Sequence, residues 1–277
     1  MAATAGFCPG VKNAIDKALE LAKTGKKTIY TLGPLIHNSQ VIETLREKNI
    51  HAINDVSEIK DKNSILVIRA HGIPPGLEEG LRAQPIEVVD ATCPLVKYAH
   101  KTIEKYAAMG YATVIVGDKH QAEMIGLLGY TRGRGYVISG PEEAALLPRL
   151  EKANIVAQTT QEEEVFLAAA AAARDKVADL VVSNTICKPT KDRQRETVEF
   201  SKTSDLVIVV GGKNSANTAR LFQICARLAP AAMHIETEVE LTPGLLEGKR
   251  SVFITAGPFT PTWLIEKALA RTRELAG

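Results

Sequence analysis

Aromatic side chains are scarce in this chain, with six Phe, six Tyr and one Trp making up 5% of 277 residues. That scarcity argues against a surface built to stack nucleic-acid bases. Charge of one sign is lacking too, since 34 Lys and Arg stand against 32 Asp and Glu, and no polybasic field points to nucleic acid. Long apolar runs are missing. The longest, Val165 to Ala173, is too short to cross a bilayer and reads as an alanine-rich helix. No charged-then-apolar leader opens the sequence, so the expectation is a soluble protein of the cytoplasm, without a membrane partner. Cysteine is sparse. Four in a chain of this length are expected to be reduced, serving as ligands, nucleophiles or core filler rather than bridges.

What is present is alternation. Apolar, β-branched segments such as "KKTIYTLG", "SILVIRAHG", "IEVVDATC", "ATVIVGDK", "NIVAQTT", "DLVIVVGG" and "SVFITAG" read as buried parallel strands ending in polar or glycine turns. Amphipathic stretches lie between them, among them "CPGVKNAIDKALELAKTG", "LVKYAHKTIEKYAAMG" and "PTWLIEKALARTRELA". This predicts an α/β fold with parallel sheets.

The pattern also repeats. "VIVGDKHQAEMIGLL" and "IVVGGKNSANTARLF" share V-G-x-K-x-x-A, and "LGPLIHNSQVIETL" is a weaker copy. The aligned glycines, Gly33, Gly117 and Gly211, are 84 and 94 residues apart; Cys8, Cys93 and Cys187 are 85 and 94 apart. Two independent features thus share one unequal spacing. A third set of strand ends, "IRAHGIPP", "VAQTTQEE" and "ITAGPFTP", follows it. The period is too long for a solenoid, so three small α/β domains are expected, spanning 1–91, 92–185 and 186–277, around a common centre. In open α/β sheets ligands bind beyond the carboxyl ends of the strands, which places the expected site where the domains meet.

Three equivalent thiols suit a metal centre better than a nucleophile, which needs one sulfur and a base. Zinc usually recruits a fourth ligand, and an iron–sulfur cluster usually takes four cysteines. With three, one iron of a [4Fe–4S] cluster has no protein ligand and is open to a substrate oxygen as a Lewis acid. The plain alternative is three buried small hydrophobes. Cys225, outside the repeat and on an apolar helical face, is expected in the core. The positions four and six after each glycine are His37 and Ser39, Gln121 and Glu123, Ser215 and Asn217. The strand-end set contributes His71, Thr159 and Phe259. Polar side chains near helix starts are expected to cradle phosphate or carboxylate, or simply to cap the helices, the plainer role for Ser39. Glu123, the one acid, is the candidate proton carrier.

The motifs "AGFCPGV", "GPLIHN", "AHG", "DATCPLVK", "AQTT", "NTIC", "RQ", "GGKNSANT" and "TAG", in this order and over nearly the whole chain, resemble the 4-hydroxy-3-methylbut-2-enyl diphosphate reductase (LytB/IspH) family. The resemblance implies a trefoil of three α/β domains around a [4Fe–4S] cluster held by Cys8, Cys93 and Cys187. It implies removal of an allylic hydroxyl with two electrons and protons, giving isopentenyl and dimethylallyl diphosphate. Glu123 with Thr159 would relay protons, His37, His71, Ser215 and Asn217 would hold the diphosphate, and a ferredoxin or flavodoxin would donate electrons. The chain departs from the family pattern at two pocket positions. The histidine of N-H-P-E is Gln121, with His120 one place early, and the serine of "TAGAS(T/A)P" is Phe259. A third departure is a first strand shortened to Met1–Thr4. The pocket changes raise a second expectation, a paralogue of the same chemistry acting on a substrate without a diphosphate. A third is a non-catalytic cluster or metal protein, which would have no use for a proton relay.

Overall fold

The computed structural model describes residues 1–23, 25 and 27–277; Thr24 and Lys26, inside the quoted helix and strand patterns, lie outside the described residues. The first elements are α1 (Pro9–Lys23), β1 (Ile29–Leu32), α2 (Ser39–Glu47), β2 (Ile50–Ile53), β3 (Ile65–Ile68), α3 (Pro75–Arg82) and β4 (Glu87–Asp90). Next come α4 (Pro94–Ala108), β5 (Ala112–Val116), α5 (Ala122–Gly129), β6 (Gly135–Ile138), α6 (Pro141–Ala144), β7 (Leu150–Ala157), α7 (Glu163–Ala173) and β8 (Val177–Ser183). The chain ends with α8 (Lys188–Ser201), β9 (Leu206–Val210), α9 (Ala216–Leu228), β10 (Ala232–Ile235), β11 (Val252–Ala256) and α10 (Thr262–Ala276). The expected α/β class with parallel sheets is what the chain forms.

Three parallel sheets run β2-β1-β3-β4, β6-β5-β7-β8 and β10-β9-β11. Their strands fall within residues 29–90, 112–183 and 206–256, so each of the three consecutive segments read from the repeat holds one sheet. By packing, the chain forms two compact units: residues 13–33 with 49–190, and residues 1–12 and 34–48 with 191–277. The larger unit contains the first two sheets and the smaller contains the third.

Central strands β5 and β9 are buried at every residue, as strands covered on both faces must be. Strands β2, β6, β8 and β10 carry no continuous apolar run and escape a reading by periodicity; they are short or half-exposed edge strands. The alanine-rich run forms α7, with Phe166 and Ala169 wholly buried.

In the smaller unit the N-terminal segment packs along the third sheet. The Ala2 amide donates to the Ile254 carbonyl of β11 at 2.7 Å, and Ala2 is buried among Val207, Val209 and Phe253. The N-terminal segment therefore lies beside β11, where β4 lies beside β3 and β8 beside β7.

Candidate functional site

Each cysteine of the repeat ends such an edge segment and precedes a helix: Cys8 before α1, Cys93 before α4 and Cys187 before α8. The local cause is a proline in each first turn, Pro9, Pro94 and Pro189, whose fixed φ suits a helix start and whose missing N–H is not needed there. The cysteine carbonyls accept the first helical bonds, from Lys12, Lys97 and Thr190 at 2.9, 2.9 and 3.0 Å. In the larger unit the cysteine amides are fixed to neighbouring strand ends, Cys93 to the Ala70 carbonyl at 3.0 Å and Cys187 to that of Thr159 at 2.9 Å. All three side chains are partly exposed, whereas Cys225 is fully buried as core, its thiol pushed up to about 11 by burial. Three soft thiols at helix starts, where backbone N–H groups favour negative charge, suit an iron–sulfur group as a donor set. Among the described residues of either unit, no three His, Cys, Asp or Glu side chains gather at metal-binding distance.

The segment before Cys8 is clamped in the smaller unit. Arg193 of α8, 6% exposed, donates to the Thr4 carbonyl from Nε (3.0 Å) and Nη2 (2.6 Å) and to the Gly6 carbonyl at 2.7 Å. Glu196, one turn on, accepts from the amides of Ala3 (2.6 Å) and Thr4 (2.9 Å) and from the Thr4 hydroxyl. Those bonds hold the Glu196 carboxyl below its usual range against the opposing effect of burial. Gly6 makes the bend with φ +97, a conformation that disfavours any side chain.

The structure brings the predicted acid and hydroxyl together. Glu123 and Thr159 are each 4% exposed. The Thr159 amide donates to Glu123 Oε1 and its hydroxyl to Oε2, both at 2.7 Å. Since the Thr159 carbonyl accepts from the Cys187 amide, acid, hydroxyl and cysteine hang on one chain of bonds. Gly117 leaves room for the neighbouring side chains, because a Cβ there would meet Met124 Cε at 2.6 Å and Gln158 Cβ at 2.8 Å. Gln158, which sequence reasoning missed, accepts from the Asp118 amide at 3.0 Å and supports the turn into α5.

The remaining candidates divide between the units. In the smaller one, Ser215 is the N-cap of α9, accepting from the Thr218 amide at 3.4 Å, and Asn217 is partly buried in the first turn. The Phe259 ring, 5% exposed, packs edge-on against His37 with centroids 5.8 Å apart. In the larger unit, His71 is partly buried, while Gln121 Nε2 reaches Asp118 at 3.3 Å. His120 is exposed.

Ser39 is a correction. The cap of α2 is Asn38, which accepts from the Val41 amide at 3.1 Å, and Ser39 is exposed within the helix. The first copy carries one more residue between glycine and cap than the others. The first-turn equivalent of Glu123 and Asn217 is therefore Gln40. The "HN" pair was the available signal, since Asn is among the best caps.

The model of the LytB protein family matches residues 1–273. The 4-hydroxy-3-methylbut-2-enyl diphosphate reductase of Geotalea uraniireducens is 43% identical over 276 residues, 99% of this chain and 96% of that protein. The reductase of the same name from Aquifex aeolicus is 42% identical over 274 residues, 98% and 94% of the two chains. A solved (E)-4-hydroxy-3-methyl-but-2-enyl diphosphate reductase, described as the terminal enzyme of the non-mevalonate pathway, aligns with TM-score 0.73 and 42% identity, covering 99% and 98%. The solved E-1-hydroxy-2-methyl-but-2-enyl-4-diphosphate reductase from Plasmodium falciparum aligns with TM-score 0.88 and 27% identity, covering 96% and 85%. With its motifs in order, its three sheets in place and a match along almost its full length, the chain belongs to the LytB family.

Proposed function

We infer that this protein is a reductase that converts 4-hydroxy-3-methylbut-2-enyl diphosphate to isopentenyl and dimethylallyl diphosphate, taking two electrons and two protons and releasing the hydroxyl as water. The observation that carries this reading is the buried Glu123–Thr159 pair tied to the Cys187 amide. A scaffold would have no need of such an acid. Cys8, Cys93 and Cys187 would hold a [4Fe–4S] cluster with one iron lacking a protein ligand. When bound, that cluster supplies electrons and Lewis acidity.

The protein's own groups do the rest. Glu123 holds a proton for delivery, and the Thr159 hydroxyl passes it or steadies its carboxylate. Donors on His37, His71, Ser215 and Asn217 bind and orient the diphosphate, with Ser215 and Asn217 set at the positive end of α9. Electrons come from a small ferredoxin or flavodoxin, in a cytoplasmic setting. No helix of the described residues is long and apolar enough to cross a membrane.

Anaerobic reconstitution followed by turnover with a chemical reductant tests the reading. Brown protein with about four irons per chain and conversion of the allylic diphosphate are expected. A colourless zinc protein, or a full cluster without turnover, would sink it. The Gln121→His/Phe259→Ser double variant is the companion experiment. It is expected to lower KM for an already active enzyme, whereas activity confined to the double variant would mark the native pocket as built for another substrate.

A further inference from the structure

One charged group at the carboxyl end of the first sheet has no role in the chemistry above. β1 and β3 are paired with Thr31 opposite Val67, so Gly33 and Arg69 leave the sheet side by side. Gly33 has φ +75, and a Cβ there would lie 2.5 Å from Arg69 Nη1, so the guanidinium rests against that glycine. Arg69 is partly buried, its Nε has no hydrogen-bond partner, and no carboxylate pairs with it among the described residues. Burial with no acid beside it pulls the guanidinium below its ordinary value. An arginine nonetheless stays protonated, so the fold carries a partly desolvated cation with no carboxylate against it among the described residues. The Arg69 carbonyl accepts from the Gly72 amide at 3.0 Å, closing the turn that presents His71. Carboxyl ends of parallel strands are where α/β proteins bind ligands. Among the candidate anion residues, His37, His71, Gln121, Ser215 and Asn217 bring no permanent charge, and Phe259 brings no donor.

We propose that Arg69 is a diphosphate-contacting residue of this chain, a guanidinium held over Gly33 beside the His71 turn that supplies anion affinity which Gln121 of the same unit does not. The proposal rests on the reading that the substrate carries a diphosphate. An arginine fork matches phosphate oxygens in a way that a single imidazole or hydroxyl does not.

The test uses cluster-loaded enzyme and three variants: Arg69→Gln, Arg69→Lys and, as a charge control, Arg46→Gln on the exposed face of α2. The readouts are the calorimetric Kd of inorganic pyrophosphate, the KM and kcat for the allylic diphosphate, iron content and thermal midpoint. R69Q is expected to weaken pyrophosphate binding by roughly 10–50-fold and to raise KM more than it lowers kcat. R69K should recover part of that loss, and R46Q should stay within about twofold. Pyrophosphate affinity within about twofold of the unmodified protein in both Arg69 variants would overturn the proposal. So would a loss in R69Q accompanied by lost iron and a lower thermal midpoint, with no partial recovery in R69K. Arg69-dependent pyrophosphate binding in a loaded enzyme that turns nothing over would leave this site standing and refute the proposed reaction instead.

Discussion

Glu123 accepts two hydrogen bonds from one residue, and both come from Thr159. Replacing it separates chemistry from support. Glu123→Gln keeps the volume and the acceptor for the Thr159 amide but cannot deliver a carboxyl proton. Its kcat is expected to fall by about 10²–10⁴-fold with iron content unchanged. Thr159→Val keeps the amide bond and loses the hydroxyl, and should fall less; Thr159→Ser should recover most of the activity. Single-turnover kinetics on loaded enzyme read both, and a Glu123→Gln variant as active as the native protein would remove the acid from the mechanism. At this scale the sequence was informative for most residues of the repeat, Ser39 excepted. It named Glu123 and Thr159 separately and correctly set Cys225 aside as core. It could not show that the two oxygens of Glu123 meet one partner, because that partner arrives 36 residues later on another strand end.

Helix starts are the elements that aim the candidate groups, and they differ in how they are held. Cys93 and Cys187 each sit between the edge strand of one sheet, β4 or β8, and the helix that follows it, with the amide fixed by a neighbouring strand end. Cys8 follows a short edge segment whose anchorage includes Arg193 and Glu196. Arg193→Ala strips two backbone carbonyls of a buried charged donor and leaves a void beside them. The thermal midpoint of cluster-free protein should drop by roughly 5 °C. Iron retained after reconstitution should fall as well, because the Cys8 segment loses its fixed path. Iron analysis and a melting curve check this, and undiminished iron in R193A would show that Cys8 finds its place without the clamp. The "RQ" motif was visible in the sequence, yet nothing local could say that its arginine serves the other end of the chain. Asn38 teaches the same lesson at smaller range. An alignment on glycines assumed equal loop lengths, and one additional residue moved the cap.

For the molecule as a whole, the larger unit stores a pH dependence. His100 is 4% exposed, stacks on Tyr130 with centroids 4.3 Å apart, and leaves no room for a side chain at Gly72. Burial pushes its imidazole down from 6.5 to about 4; Lys97 pushes the same way and Asp90 opposes. The unfolded chain therefore binds the proton that the folded one refuses between these values. The stabilisation is complete above about pH 6.5 and fades as pH falls toward 4, on the order of 2–3 kcal/mol across that window. Melting curves of cluster-free protein between pH 7.5 and 4.5 should show a steep fall that flattens in His100→Phe, which keeps a ring against Tyr130. Equal slopes in the two proteins would assign the pH dependence to other groups.

Composition, strand and helix periodicity and one unequal spacing were enough, by themselves, to determine the α/β class, the three parallel sheets and the placing of three cysteines at equivalent helix starts. These are properties of local pattern and of repetition along the chain. The tertiary structure decided the rest. It put residues 1–12 with the last sheet, buried Phe259 against His37, turned Gln121 to Asp118 and left Arg69 Nε without a hydrogen-bond partner among the described residues. The physical reason is that desolvation and hydrogen bonding act between groups that only folding brings within a few ångströms, and sequence spacing holds no record of those distances.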